Sequence, residues 1–265
     1  MPMKERVDRL LVSRGLASSR EKAQALIMAG LVFSGTERIA KPGRMMDDAA
    51  ALTLKDTLPF VGRGGLKLAE ALDGFGVDAA GLTAADIGSS TGGFTDCLLQ
   101  RGARRVYAVD VDTRQLDWRL RRDPRVRLIE KNARYLSKAD FGEDLDLVSL
   151  DVSFISLLKV LPAVRDVLKE GAEVLALVKP QFEAGRRQVG KKGVVRDPAV
   201  HGDVLNKVIG GAQVLGFGLR GLMKCSARGQ RGNAEFMTHF IFGKEPLGPD
   251  ALLALVKEAV GDESH

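Results

Sequence analysis

Two lysines and two carboxylates, Lys67, Asp151, Lys179 and Glu235, are the residues of this chain best suited to do chemistry. They lie far apart in sequence, yet each falls at the start or end of an expected element. Asp151 and Lys179 end apolar runs, in Leu150-Asp-Val-Ser-Phe-Ile155 and Val178-Lys-Pro-Gln-Phe-Glu183. A charge at the end of an apolar strand is expensive unless it is paired or used. Such a set can remove a proton from a very weak acid, a hydroxyl above all. A lysine acts as a base only as its free amine, which burial or a second lysine nearby favours. Carboxylates then orient the amines and keep the site from becoming too positive. Taken singly, Lys67 and Glu235 read better as members of a structural ion-pair network.

A second group of residues suits a nucleoside. The run Asp86-Ile-Gly-Ser-Ser-Thr-Gly-Gly-Phe-Thr95 follows an expected strand and opens an expected helix. Its glycines permit a tight turn and a close approach of backbone to ligand. The spacing of Gly88, Gly92 and Gly93 is not that of the dinucleotide fingerprint G-x-G-x-x-G, which disfavours a nicotinamide-dependent dehydrogenase. Asp86, Gly88, Ser89, Ser90, Thr91, Gly92, Gly93 and Phe94 are candidate cofactor residues on this run. Asp110 ends the next strand, where a carboxylate can bind ribose hydroxyls. Asn132, after the third strand, suits an adenine edge, and Asp151 closes the fourth. Ligands of open parallel sheets sit at the carboxyl ends of the strands, where all of these residues fall.

The elements that must position these groups are legible as alternation. Strands are expected at 84–87, 106–109, 126–129, 145–150 and 174–178, with helical stretches between most of them, and further strands near 219–225 and 236–242. The fold class is α/β: a mostly parallel seven-stranded sheet with helices on both faces, preceded by a small α+β domain. The boundaries expected are 1–55 for the small domain, 56–64 for a linker rich in Gly around Pro59, 65–246 for the large domain, and 247–265 for a helix and a frayed tail.

The small domain has its own grammar. Val7, Leu10 and Leu11 recur at helical spacing before Gly15. Ser18 and Ser19 offer an N-cap to a second helix bearing Ala23, Leu26 and Ile27 and ended by Gly30. Val32-Phe33 and Ile39-Ala40 flank a turn and read as a hairpin. Residues 1–44 hold nine Lys or Arg against four Asp or Glu, nearly the whole excess of a chain whose net charge is +6. Arg6, Arg9, Arg14, Arg20, Lys22 and Lys41 are therefore candidate phosphate contacts. So are Arg63 in the linker and Arg186, Arg187, Lys191 and Lys192 beyond the fifth strand. A cluster from Arg119 to Arg127 fits either a second contact or a solvated face. With aromatic residues at 5%, folded RNA read through shape and phosphates suits the chain better than stacking along a single strand.

Composition narrows the class. Two cysteines without a Cys-x-x-Cys pair and three scattered histidines argue against a disulfide framework or a metal site. There is no apolar run of membrane-spanning length and no signal-peptide core, so a cytoplasmic protein without a membrane role is expected. No obligate protein partner is evident.

Several motifs together resemble a known family. Arg6-Val-Asp-Arg-Leu-Leu-Val, Ser18-Ser-Arg-Glu-Lys-Ala and Ile27-Met-Ala-Gly-Leu-Val-Phe resemble the S4 RNA-binding domain. Gly62-Arg-Gly-Gly-Leu-Lys-Leu, Gly88-Ser-Ser-Thr-Gly-Gly-Phe-Thr-Asp, the Asp151 and Lys179 runs, and Gly232-Asn-Ala-Glu-Phe resemble the TlyA family of haemolysin-annotated rRNA methyltransferases, whose catalytic domain is similar to FtsJ. The resemblance implies a Rossmann-like class I methyltransferase using S-adenosyl-L-methionine. It also implies a Lys-Asp-Lys-Glu tetrad at Lys67, Asp151, Lys179 and Glu235, and transfer to cytidine 2′-hydroxyls of ribosomal RNA in the large subunit or in both. The expected partner is ribosomal RNA within its subunits. A catalytically silent ribosome-associated binding protein and a membrane-active haemolysin are the alternatives. One departure stands out: Val109-Asp-Val-Asp-Thr has Asp112 where the family carries a glycine, which puts an extra negative charge beside the expected ribose site.

Overall fold

A computed structural model describes residues 4–28, 30–54, 59–185 and 187–261. The chain divides into two compact units, Met1–Leu58 and Pro59–His265. The expected frayed end lies, from residue 262 onward, outside the described residues, as do Arg186 and the first part of the expected linker.

In the first unit, β1 (Lys4–Arg6) leads into α1 (Val7–Ser13), followed by α2 (Arg20–Met28). Strands β2 (Val32–Ser34) and β3 (Glu37–Arg38) form the hairpin; β4 (Met45–Asp47) pairs with β1, and β5 (Thr53–Leu54) pairs with β2. Ser19 Oγ accepts from the Lys22 amide, as its capping position requires. Val7, Leu10, Leu11, Ala23, Ile27, Val32 and Ile39 close a small apolar core.

A buried carboxylate organises the basic face of this unit. Asp8, fully buried, accepts from Arg6 Nε and Nη2 at 3.0 and 2.8 Å, from Arg20 Nε at 3.0 Å and from Gln24 Nε2 at 2.9 Å. The Arg6 guanidinium holds the Asp8 carboxyl well below the ordinary carboxylate range. Asp8→Ala should therefore destabilise the unit by about 2 kcal/mol, because two guanidinium groups and an amide lose their acceptor. With a depressed folded-state pKa, the stabilisation is present above the usual carboxylate pKa and is lost as pH falls below it. Urea melts of both forms should converge at acid pH; a constant gap down to the lowest pH tested would contradict this role.

The second unit begins with its approach segment fastened down. The Val61 amide donates to Asp96 Oδ2 at 2.8 Å, and the Pro59 carbonyl accepts from Gln100 Nε2 at 2.9 Å. Next come α3 (Gly64–Phe75), β6 (Thr83–Ile87), α4 (Gly93–Gln100), β7 (Arg105–Asp110), α5 (Trp118–Arg122), β8 (Val126–Glu130) and β9 (Leu145–Leu150). The chain continues through α6 (Leu161–Arg165), β10 (Leu168–Val178), α7 (Pro180–Glu183), α8 (Pro198–Val214), β11 (Phe217–Lys224), β12 (Phe236–Phe242) and α9 (Pro249–Gly261).

The sheet order is β11-β12-β10-β9-β6-β7-β8. Strands β10, β9, β6, β7 and β8 are parallel, and β12 runs antiparallel to both of its neighbours. Neighbouring residues along each strand face opposite layers, as the pleat demands. Ala84, Val106, Leu147 and Leu175 pack with α3 and α4, while Ala85, Tyr107, Val148 and Ala176 pack with α6 and α8. The central strands β6 and β9 and the second half of β10 are therefore buried almost throughout, the pattern of a sheet covered on both faces, while the edge strand β8 (Val-Arg-Leu-Ile-Glu) is mostly exposed. From β6 the chain winds outward to β7 and β8, then returns to place β9 on the other side of β6. That reversal between β6 and β9 is the switch point at which such sheets open a ligand crevice. Among the described residues no helix is long and apolar enough to cross a membrane.

Candidate active site

Two cavities meet at the switch point. The larger, about 560 Å³, is lined by Gly88 and Ser90 after β6, by Asp110 at the end of β7, by Asn132 after β8, and by Asp151 to Ile155 after β9. The smaller, about 200 Å³, holds Arg63, Lys67, Asp151, Lys179, Arg228 and Glu235. Gly88, Ser90, Asp151 and Ser153 line both.

The four ionisable residues singled out from sequence come together in the smaller cavity as two ion pairs. Lys67 Nζ bonds Glu235 Oε2, and both side chains are buried. Lys179 Nζ lies 2.5 Å from Asp151 Oδ1 and donates to Ser153 Oγ at 2.8 Å. Asp151 retains 25% side-chain exposure against 3% for Glu235, whereas the two lysines are equally enclosed, at 10% for Lys67 and 11% for Lys179. Glu183 holds the loops that carry Asp151 and Lys179: its buried Oε1 accepts from the Leu157 amide at 2.7 Å, tying the segment after β9 to α7. Gln181 Nε2 reaches Glu235 Oε1 at 3.5 Å.

Sequence reasoning missed the uncharged partners here: Ser153, Phe154, Gln181 and Phe182. They stand inside the very runs that carry Asp151 and Lys179, and that adjacency was the available signal. Phe154 adopts φ +63° and leaves its ring 87% exposed, 4.9 Å from the Phe182 ring. Phe154 borders the larger cavity and Phe182 the smaller. A non-glycine residue in this conformation with an exposed aromatic ring is the kind of strain that collects at functional sites.

The glycine-rich run divides by task. Gly88 and Ser90 line the cavities. Ser89, Thr91, Gly92, Gly93 and Phe94 shape the turn and the start of α4 without lining either. Asp86 does not line them either. It is fully buried in β6, and its Oδ2 accepts from Thr95 N and Oγ1 at 2.8 and 2.7 Å, which fastens α4 to the sheet. Asp110 uses Oδ2 to accept from the Ser90 amide at 2.9 Å, so it both holds the glycine loop and borders the cavity. Asn132 caps the following turn by accepting from the Arg134 amide at 3.0 Å. Asp112 lines neither cavity; Arg114 pairs with it at 2.8 Å, and the Asp112 amide donates to Asp110 Oδ1 at 3.2 Å.

Burial pushes the Asp86 carboxyl up to about 7, against the Thr95 hydrogen bonds and with help from Asp151 and Asp110. The folded chain thus binds this proton more tightly than the unfolded chain, in which a carboxyl titrates near 4. The contribution to stability is complete below that pH and is lost as pH rises through about 7. Between pH 5 and pH 8 the wild type should lose about 2 kcal/mol more than Asp86→Asn in urea melts. Parallel profiles would mean that Asp86 does not titrate there.

The candidate phosphate contacts fall into two sets. Arg6 and Arg20 are partly spent on Asp8, and Arg14 donates to the Ala50 and Asp48 carbonyls. Arg9, Lys22 and Lys41 are exposed on the first unit; Arg187, Lys191 and Lys192 are exposed on the second. Arg63 stands at the tetrad. In the cluster from Arg119 to Arg127, Arg119 and Arg125 are paired with Asp117 and Asp123, while Arg121 and Arg127 donate to backbone carbonyls and Arg122 lies over the Trp118 ring.

Fold and site together define a class I methyltransferase: a seven-stranded sheet with one antiparallel strand, opened at its switch point beside a lysine–carboxylate pocket. The chain belongs to the FtsJ-like methyltransferase family, whose model matches residues 60–242, and an S4 domain matches residues 5–47. It is 49% identical over 264 residues to YqxC of Bacillus subtilis, provisionally named an rRNA methyltransferase, covering 97% of this chain and 94% of that one. It is 44% identical over 239 residues to the 16S/23S rRNA (cytidine-2′-O)-methyltransferase TlyA of Mycobacterium tuberculosis, covering 89% of each. A solved structure from Streptococcus thermophilus, provisionally named a hemolysin, superposes with a TM-score of 0.74 at 47% identity, over 98% of this chain and 96% of that one.

Proposed function

We propose that this enzyme transfers a methyl group from S-adenosylmethionine to the 2′-hydroxyl of a cytidine in ribosomal RNA, in the cytoplasm. The observation that carries the reading is the shared border of the two cavities, where the Asp151–Lys179 pair stands between a nucleoside-sized crevice and an open basic pocket.

The residues of the larger cavity fit the cofactor. At about 560 Å³ it lies within the ~300–1,000 Å³ range of small-ligand sites. A Cβ on Gly88 would meet the Asp151 carbonyl at 2.6 Å, so only glycine lets the loop pack backbone to backbone against the end of β9 where the crevice opens. Asp110 offers carboxylate oxygens for ribose hydroxyls, and Val109, Ala133, Val152, Ile155 and Val160 offer apolar walls for a base. When bound, S-adenosylmethionine supplies an electrophilic sulfonium methyl. The chain does the rest. Lys179 Nζ, held by Asp151 and Ser153, is placed to take the hydroxyl proton once it has released one of its own to solvent and stands as the free amine. The buried Lys67–Glu235 pair lines the same pocket and leaves Asp151, beside Lys179, as the most open of the four ionisable groups. Arg63 and Arg228 border the same pocket and can hold the phosphates on either side of a target nucleotide. The exposed Phe154 ring offers a face on which an unstacked base can rest.

Incubation with unmodified ribosomal subunits and S-adenosylmethionine labelled in the methyl group, followed by mapping, tests the reading. Label on a cytidine ribose is the expected result, and assaying the subunits separately identifies the substrate. Label on a base nitrogen, or no transfer to either subunit, would overturn it.

A further inference from the structure

Behind the tetrad pocket lies a third cavity, of about 410 Å³, between the start of α8, the end of β11 and the loop that leads into β12. Arg196 and Arg231 line it, together with Lys224, Arg228 and His201, which have partners of their own. The start of α8, a helix of 17 residues, adds the positive end of its dipole at Pro198. Its N-cap carboxylate, Asp197, is turned to the Ala199 amide at 2.9 Å and does not line the cavity.

The walls are built, not incidental. Asn233 is buried and cross-links them: its Oδ1 accepts from the Val195 amide at 3.0 Å, and its Nδ2 donates to the Gly193 carbonyl at 3.0 Å. Arg231 stands at φ +57° and donates one Nη1 bond to the Lys192 carbonyl, which leaves further guanidinium donors for the cavity. The wall shared with the active site is the loop from Arg228 to Glu235. Arg228 lines both cavities; Gly229 and Glu235 face the tetrad, while Arg231, Gly232 and Ala234 face the basic side.

We infer that this cavity binds a phosphodiester of the RNA strand next to the target nucleotide, and so sets the register of the strand across the tetrad. The inference rests on the RNA-methylating reading above and adds to it a specific subsite. Its chemistry recognises a phosphate without reading a base, so it contributes affinity and position, not sequence choice. Arg228 connects it directly to the pocket in which the ribose would be held.

The test uses Arg196→Gln with Arg231→Asn in the full chain; asparagine tolerates the left-handed backbone at 231. Binding of ribosomal RNA is measured against salt concentration, and methyl transfer is measured in single turnovers at saturating RNA. The double variant should bind RNA about tenfold more weakly near 0.1 M salt, with a log–log salt slope shallower by about one, as loss of a single phosphate contact requires. Its affinity for S-adenosylmethionine should match the wild type, while its single-turnover rate at saturating RNA should fall, because the strand is no longer held in register across the tetrad. Arg196→Lys with Arg231→Lys, which keeps the charges, should restore the slope and guards against a folding artefact. Unchanged RNA affinity and slope would overturn the subsite. Inorganic phosphate titrated alone separates a free-anion site: phosphate binding that the substitutions abolish, with RNA binding untouched, also overturns it. The two readings fail separately. If the wild type methylates no RNA while the slope still falls, the enzyme assignment fails and the subsite stands.

Discussion

Lys179→Ala should reduce single-turnover methyl transfer at least about a hundredfold while leaving S-adenosylmethionine affinity within about twofold. Positioned general bases contribute roughly 10²–10⁴ in rate, and Lys179 stands beside Asp151, the most open of the four ionisable groups. Cofactor binding should survive because Lys179 lines only the smaller cavity. The alternative is that Lys179 serves only as the cationic partner of Asp151. Lys179→Arg separates the two. Arginine keeps the charge and can pair with Asp151, but its guanidinium does not give up a proton under any ordinary condition. Failure of the arginine variant to restore transfer supports a base; restored transfer shows an electrostatic partner and removes the proton-transfer role. Thermal melting of both variants checks that Asp151, left at 25% exposure, is solvated well enough for the fold to persist.

The sequence made the strand ends legible because a doubly covered sheet needs strands that are apolar along their whole length. A charge that interrupts such a run at its end is conspicuous. Asp151 and Lys179 stood out in this way, and the fold places them 2.5 Å apart. The same logic misread Asp86. It too is an acid on an apolar strand, but one turned into the sheet and satisfied by Thr95, and sequence does not show which way a strand-end side chain points. The charge of Asp112 has a local partner, Arg114, two residues on, which a count of charges leaves out. In the first unit, Asp8 looked like one acid among many bases, whereas it is the buried hub that orients Arg6 and Arg20. Ser153, Gln181 and the paired rings of Phe154 and Phe182 carry no formal charge and follow no period, so only tertiary placement reveals them.

Gly88→Ala should raise the dissociation constant for S-adenosylmethionine by at least about tenfold and lower the stability of the second unit by about 3 kcal/mol. Two penalties add. The residue sits at φ +88°, where an alanine is disfavoured by about 1–2 kcal/mol. Its Cβ would also meet the Asp151 carbonyl oxygen at 2.6 Å and the carbonyl carbon at 2.9 Å. Those atoms are backbone at the end of a central strand and cannot swing aside. The Asp151 amide donates to the Ile87 carbonyl at 3.0 Å, so relief would come only by parting β6 from β9 where the two cavities meet. Gly92→Ala supplies the contrast. Its φ of +97° carries a similar backbone penalty, but its Cβ would meet only the Leu120 and Leu116 side chains, which can turn away. Gly92 lies outside the crevice lining, so its substitution should lower stability and leave cofactor affinity nearly unchanged. Calorimetric titration of both variants with S-adenosylmethionine decides the matter. Equal affinities for Gly88→Ala and wild type would show that the cofactor does not lie against this loop, and the assignment of the larger cavity would have to be abandoned.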